Sequence, residues 1–208
     1  MTSRARTQIV VTIALLIFCA GIVLVRGNPI DVIIRLYSVV VLTALAVFWI
    51  WERFGWKWKA AQRFSQVPRD ISGTWLGELN SFWIDPSTGS TRAPKTAVLV
   101  VRQTASSVGV ALMTDESLSR SSLAKVSLGA DGVHLDYMYL NEPKSKFRSN
   151  SPIHHGSSSM AISGGPANML SGHYWTDRDT RGELTFNLRS LSQADTYEGA
   201  LSLFAEAD

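Results

Sequence analysis

The chain has one cysteine among its 208 residues, Cys19, set within an apolar run. That excludes an internal disulfide framework and any zinc site built on cysteines. The preceding Leu16-Ile17-Phe18 lack the small side chains of a lipoprotein cleavage site, and no A-x-A-like site closes the run as in a secretory signal. Charge is scarce too. Asp, Glu, Lys and Arg make up 18% of residues, against roughly 25% in ordinary soluble domains. With 46% hydrophobic residues, the chain is not a disordered polar polymer. Catalytic signatures are missing: there is no Gly-x-Ser-x-Gly elbow, P-loop, His-Glu-x-x-His pair or dinucleotide fingerprint. His154-His155 is the only adjacent histidine pair. Neighbours on a strand point to opposite faces, which argues against a shared metal. Ser157-Ser158-Ser159 lies nearby, with no carboxylate spaced to make a nucleophile of it. The expectation is no catalytic residue, no metal and no cofactor.

What charge there is lies unevenly. Residues 1–69 carry nine Lys/Arg and two Asp/Glu, whereas residues 70–208 carry eleven and fifteen. The net +3 therefore belongs to the N-terminal third. The remainder is mildly acidic and lacks the broad basic face that a nucleic acid polymer requires. A small pocket with a few placed arginines remains compatible with it.

Ile9 to Val25 is apolar and free of charge, with twelve Ile, Val, Leu or Phe. As a helix it would span roughly 26 Å, close to a hydrocarbon core of about 30 Å. Arg26-Gly27-Asn28-Pro29 breaks it, and a second apolar run covers Ile30 to Trp51. Two helices joined by so short a turn form a transmembrane hairpin. Asp31 and Arg35 are four residues apart at its turn end. They fit either an interfacial ion pair or a polar lining exposed on helix association. Arg4 and Arg6 precede the first helix, and Arg53, Lys57, Lys59 and Arg63 follow the second. The positive-inside rule then places both termini in the cytoplasm. Trp49, Trp51, Trp56 and Trp58 cluster where the second helix would leave the bilayer. Trp51, Phe54, Trp58, Ala61 and Ser65 also fall at helical steps, so this stretch is either an interfacial amphipathic extension or a simple anchored helix end. Pro68 stops it. Residues 1–68 thus form the membrane part, and residues 69–208 a separate domain.

From Asp70 onward, short alternating runs are broken by turn residues. Eight strands are expected, near 73–80, 96–103, 107–114, 122–128, 133–140, 157–162, 169–176 and 183–188. Asp131-Gly132 is a hairpin signal. No long helical period intervenes, which disfavours parallel βαβ units. The spacing predicts an eight-stranded antiparallel up-and-down barrel, just wide enough to fill itself or hold one small ligand. Polar and aromatic side chains occur on both faces of the fifth and seventh strands, so the pattern does not say which face is inside. Gly73-Thr74-Trp75 is a weak lipocalin-like start, in which the tryptophan closes the barrel floor. Asp195-Thr196-Tyr197-Glu198 fits a capping box opening a short C-terminal helix.

The densest polar stretch is Tyr174-Trp175-Thr176-Asp177-Arg178-Asp179-Thr180-Arg181-Gly182, between the last two strands. Its arginines can fork onto phosphate oxygens, and its aromatics can stack on a nucleobase. It also fits a charged hairpin loop held by its own Asp–Arg contacts. Tyr137 to Asn141, with Glu142-Pro143, is open to the same two readings.

Two N-terminal membrane helices lead here into a strand-rich domain that carries Asp70-Ile71-Ser72-Gly73-Thr74-Trp75, Tyr137-Met138-Tyr139-Leu140-Asn141-Glu142-Pro143, His154-His155-Gly156 and the Tyr174–Gly182 run. This arrangement resembles the two-transmembrane, β-strand-rich effectors of CBASS anti-phage defence, which partner cGAS/DncV-like nucleotidyltransferases. The resemblance covers nearly the whole chain. It implies that the cytosolic barrel binds a cyclic di- or oligonucleotide made by the partner enzyme. The membrane hairpins then gather as a homo-oligomer, and the bacterial inner membrane is breached, killing the cell. On this basis the expected ligand-binding residues are Tyr174, Thr176, Arg178 and Arg181, with Tyr139, Asn141 and His155 beside them. A Panoptes-type effector of the same class, restrained by the nucleotide and released on its loss, fits equally. A membrane-tethered barrel carrying a lipid or small apolar ligand, or acting as an adaptor, is the rival from another class.

Overall fold

The computed structural model describes residues 11–12, 14–17, 19, 29–64, 66–86 and 88–205. The chain divides into two compact units, Met1–Pro68 and Arg69–Asp208. Most of the first apolar run, the turn at residues 26–28, Arg4, Arg6 and the side chain of Asp31 lie outside the described residues. The described residues of that first run are helical.

Helix α1 is Pro29–Arg53. Its segment Ile33–Arg53 is long and apolar enough to cross a membrane, and it is the one such helix among the described residues. At about 1.5 Å per residue it reaches roughly 30 Å. Ser38 and Thr43 turn their hydroxyls back onto the carbonyls of Ile34 and Val39, at 3.0 and 2.8 Å. That satisfies both groups within the helix, as an apolar surrounding requires. Beyond Arg53 the anticipated helical extension is not continuous. It breaks into two 3₁₀ turns, Gly55–Lys57 and Ala61–Arg63, at Gly55, a poor helix former. The turns bury Trp56, while Trp58 and Phe64 stay exposed.

The second unit is a closed barrel of eight strands in sequence order. They are β1 Gly73–Ser81, β2 Lys95–Gln103, β3 Val108–Met113, β4 Ser117–Gly129, β5 Gly132–Pro143, β6 His154–Ser163, β7 Met169–Thr176 and β8 Arg181–Ser190. Every neighbouring pair is antiparallel, and β8 returns to β1. Strand β4 begins at Ser117 rather than near Ser122. Its first turnful alternates Ser117, Ser119 and Ser121 inward, a polar inner face that hydrophobic alternation does not reveal. A bulge between Ser121 and Leu123 then shifts the register.

Inside lie Trp75, Leu99, Val101, Leu135, Tyr137, Met160, Leu170, Leu184 and Phe186, among others. On β5 the odd-numbered residues face inward, and on β7 the even-numbered ones do. The apolar core fills one end of the barrel, where Trp75 forms the floor. Its indole nitrogen donates to the Ile71 carbonyl at 2.9 Å. The Arg189 guanidinium lies 5.0 Å over its ring and donates to the Ser72 carbonyl at 2.8 Å. Gln103 joins the same plug, accepting from the Ile71 N–H and donating to the Arg69 carbonyl.

The last helix, α2, is Tyr197–Ala205. Its N-cap is Thr196, whose hydroxyl accepts from the Gly199 N–H at 3.0 Å. The anticipated box is thereby displaced by one residue. Asp195 is instead drawn 2.6 Å from Arg102, and a glycine stands where the reciprocal acid would be. Ala200, Tyr197, Leu201 and Leu203 cover an outer apolar patch made by Val98, Val100 and Met113.

Candidate functional site

In an up-and-down barrel, alternate loops share an end. The β1–β2, β3–β4, β5–β6 and β7–β8 connections therefore ring the end away from Trp75. A cavity of about 460 Å³ opens there. Its wall includes Tyr139 and Asn141 from β5, Tyr174 and Thr176 from β7, and Arg178 and Thr180 from the β7–β8 turn.

Two glycines make room for the aromatic wall. Tyr139 is paired with Gly156 on β6, and Tyr174 with Gly182 on β8. A Cβ on Gly156 would lie 2.4 Å from both Cζ and the hydroxyl of Tyr139. A Cβ on Gly182 would lie 2.7 Å from Cε1 of Tyr174 and 2.1 Å from the Asn80 carbonyl. Each phenol ring thus leans across the neighbouring strand onto bare backbone. Burial pushes the Tyr139 phenol well above its ordinary range, reinforced by Tyr137, Tyr174 and Asp177. Burial also raises Tyr174, while a hydrogen bond with Ser81 and the charge of Arg92 oppose the shift. Both rings are therefore neutral near pH 7 and can donate through their hydroxyls.

Arg178 is braced across the mouth. Its guanidinium donates to the Ser151 hydroxyl at 3.0 Å and the Pro152 carbonyl at 3.4 Å, and stands 3.4 Å from His154 Nδ1. These contacts tie the β7–β8 turn to the β5–β6 loop. The turn is set from within by Thr176, whose hydroxyl lies 2.6 Å from that of Thr180 and accepts from the Arg178 N–H at 3.2 Å. Asn141 is nearly buried. Its amide donates to Ser117 and Ser119 at 3.2 and 2.8 Å, which explains the inward serines of β4.

Five of the seven expected residues thus share one cavity: Tyr139, Asn141, Tyr174, Thr176 and Arg178. Arg181 and His155 do not line it. Both are exposed on the outer wall, because the strand period of two sends their neighbours Gly182 and His154 inward. His155 contributes through its backbone, donating to the Asp177 carboxylate at 3.1 Å.

Sequence reasoning missed Trp83, Asp85, Arg92 and Lys95, which the β1–β2 connection and the start of β2 bring to the cavity. Arg92 lies 5.0 Å over the Trp83 ring. Lys95 is 2.5 Å from Glu116. Loop parity was the available signal: once the 174–182 turn is placed at the mouth, residues 82–94 belong there too. The site therefore offers three cations, two carboxylates (Asp85, and Glu116 paired with Lys95), three aromatic rings and several hydroxyl and amide groups around one cavity. Among the described residues, no cluster of His, Cys, Asp and Glu could hold a metal ion.

Comparison with known families matches residues 65–188 to the Cap15 cyclic dinucleotide receptor domain. A curated relative from Staphylococcus schleiferi, CD-NTase-associated protein 15, is 32% identical over 148 residues. That alignment spans 71% of this chain and 75% of the relative.

Proposed function

The chain belongs to the Cap15 family of cyclic dinucleotide receptors, and from that premise we propose that its barrel binds a cyclic dinucleotide in the cavity opposite Trp75. The observation that carries this reading is the composition of the mouth: Arg178, Arg92 and Lys95 stand with Tyr139, Tyr174 and Trp83 around one open cavity. A cyclic dinucleotide has two phosphodiester charges and two flat bases. Arginine forks match phosphate oxygens. Each ring can contribute about 1–3 kcal/mol by stacking on a base. Neutral phenols and the Asn141 amide can read base edges. A lipid carrier would need an all-apolar lining, which this mouth lacks.

The unit 69–208 is then the sensor and residues 1–68 the effector. The chain acts as a binder and not as an enzyme. It sits in the bacterial inner membrane with two spans and with both termini and the barrel in the cytosol. A cGAS/DncV-like nucleotidyltransferase supplies the ligand. Binding favours association of copies by its differential affinity for the associated state, and the gathered helices disrupt the membrane in anti-phage defence.

The test uses the full chain in nanodiscs, screened by thermal shift against cyclic di- and trinucleotides. One member is expected to stabilise the protein and to be recovered chemically intact. A folded protein that responds to none would overturn the reading. Dye release from liposomes carrying the protein then gives the sign of regulation, with release expected on adding the ligand.

A further inference from the structure

His154 opens β6 on its inward phase and lines the cavity. Register sets it in a polar row around the mouth. Ser119 of β4 lies opposite Asn141 of β5, and Asn141 opposite His154. On the other side, Gly156 lies opposite Thr176 of β7. Two residues beyond these toward the mouth come His154 and Arg178, which approach to 3.4 Å. Adjacent strands are about 4.8 Å apart. An amide, an imidazole and a guanidinium therefore follow one another along this wall at roughly one strand spacing. The row below is Tyr139, Gly156 and Thr176, with the Tyr139 ring against Gly156.

The two ring nitrogens of His154 are not equivalent. Nδ1 lies 2.9 Å from the Pro152 carbonyl. A carbonyl oxygen only accepts, so Nδ1 carries the hydrogen and donates it there. Arg178, 3.4 Å from the same nitrogen, then meets no lone pair, and its guanidinium donates to the Ser151 hydroxyl and the Pro152 carbonyl instead. Nε2 has no hydrogen-bond partner among the described residues. In the neutral ring, a hydrogen on Nδ1 makes Nε2 an acceptor. The wall thus sets a fixed acceptor beside a fixed cation.

Phosphate oxygens are acceptors themselves, so they suit Arg178 and not this nitrogen. The nucleotide donor nearest a phosphate is the ribose 2′-hydroxyl. In a 3′,5′ linkage it sits on the carbon next to the phosphorylated one. The sugar also joins phosphate to base. With a phosphate on Arg178 and a base on Tyr139, the ribose falls at His154.

We propose that His154 is a specificity-determining residue of this site. Its Nε2 accepts from the 2′-hydroxyl beside the phosphate held by Arg178, so the barrel selects ribonucleotide rings over 2′-deoxy ones. The proposal rests on the cyclic dinucleotide reading above.

The test is calorimetric titration of the full chain in nanodiscs with two compounds. One is the 3′,5′-linked cyclic dinucleotide that stabilises the parent most, and the other is its bis(2′-deoxy) counterpart. One neutral hydrogen bond predicts the deoxy compound to bind about three- to tenfold more weakly. In His154→Ala that ratio should fall below about twofold. It should persist in His154→Gln, whose amide oxygen can replace Nε2, and in His155→Ala, whose side chain is on the outer wall. Removing the 2′-hydroxyl also changes sugar pucker, and a merely structural role for His154 would weaken both compounds. Neither effect makes the ratio depend on residue 154. Equal affinity of the parent for both compounds overturns the proposal without any variant. An unchanged ratio in folded His154→Ala overturns it too. Both results leave the cyclic dinucleotide reading standing, whereas a parent chain that binds neither compound overturns that reading and this assignment together.

Discussion

Gly156→Ala isolates the close approach that shapes the cavity. The added methyl would stand 2.4 Å from the Cζ and hydroxyl of Tyr139, with Cε2 next at 2.8 Å. Ordinary carbon contacts lie near 3.5–4.0 Å, so the ring must retreat by about 1 Å or more. The three nearest atoms all belong to one side chain, so the strain falls first on Tyr139. Overpacking of this kind costs about 1–3 kcal/mol, or roughly 4 °C of melting temperature per kcal/mol for a unit of this size. The displaced ring also enters the ligand volume, so cyclic dinucleotide affinity should fall at least tenfold. A double-mutant cycle assigns the cause. In a Tyr139→Ala background, Gly156→Ala should cost close to nothing, giving a coupling of about 1–3 kcal/mol. Thermal melts and calorimetric titration of the four proteins supply the numbers. An undiminished penalty in the Tyr139→Ala background would refute this reasoning, as would full stability and affinity in Gly156→Ala itself.

Three other outcomes follow from particular contacts. Arg189→Ala removes the ion over Trp75 and the donors to Ser72, and should cost about 2–4 kcal/mol in denaturant melts with ligand stoichiometry unchanged in the folded fraction. The Tyr137 hydroxyl is buried beside Ser158, whose own hydroxyl donates to the His173 carbonyl at 3.0 Å and which opposes the effect of burial on the phenol. Burial raises this phenol far above the usual 10, so its contribution to stability is full below pH 10 and is lost as pH rises beyond it. Tyr137→Phe should leave stability within about 1 kcal/mol at pH 7 and flatten that alkaline loss in pH-dependent melts. Glu116→Gln frees Lys95 from a 2.5 Å ion pair and should tighten cyclic dinucleotide binding about two- to fivefold, an effect that shrinks as salt is raised.

Much of the barrel was legible because its turns are explicit and its strands follow one another without crossovers. The apolar residues on the outer wall hid the strand faces. Leu123, Met138 and Trp175 are as hydrophobic as core positions, and Ser117, Ser119 and Asn141 are polar inside. Hydrophobic alternation therefore points the wrong way around the mouth of the barrel. The same blur explains the histidines and arginines. Choosing between His154 and His155, or placing Arg181 outside, requires the strand phase, and that phase is set by the Tyr139–Gly156 and Tyr174–Gly182 pairings. Arg92 and Trp83 were out of reach of local pattern altogether. They face the cavity only because the barrel closes and brings the first connection beside the last.

The most direct measurement is calorimetric titration of the full chain, its Arg178→Ala variant and its Arg181→Ala variant with the cyclic dinucleotide that best stabilises the parent protein. Arg178 faces the cavity and Arg181 the outer wall. Loss of one charged contact to phosphate at about 1.5–3 kcal/mol predicts binding at least tenfold weaker in Arg178→Ala. Arg181→Ala should bind as the parent does. Equal affinity in all three proteins, or loss only in Arg181→Ala, would contradict a ligand seated in this cavity.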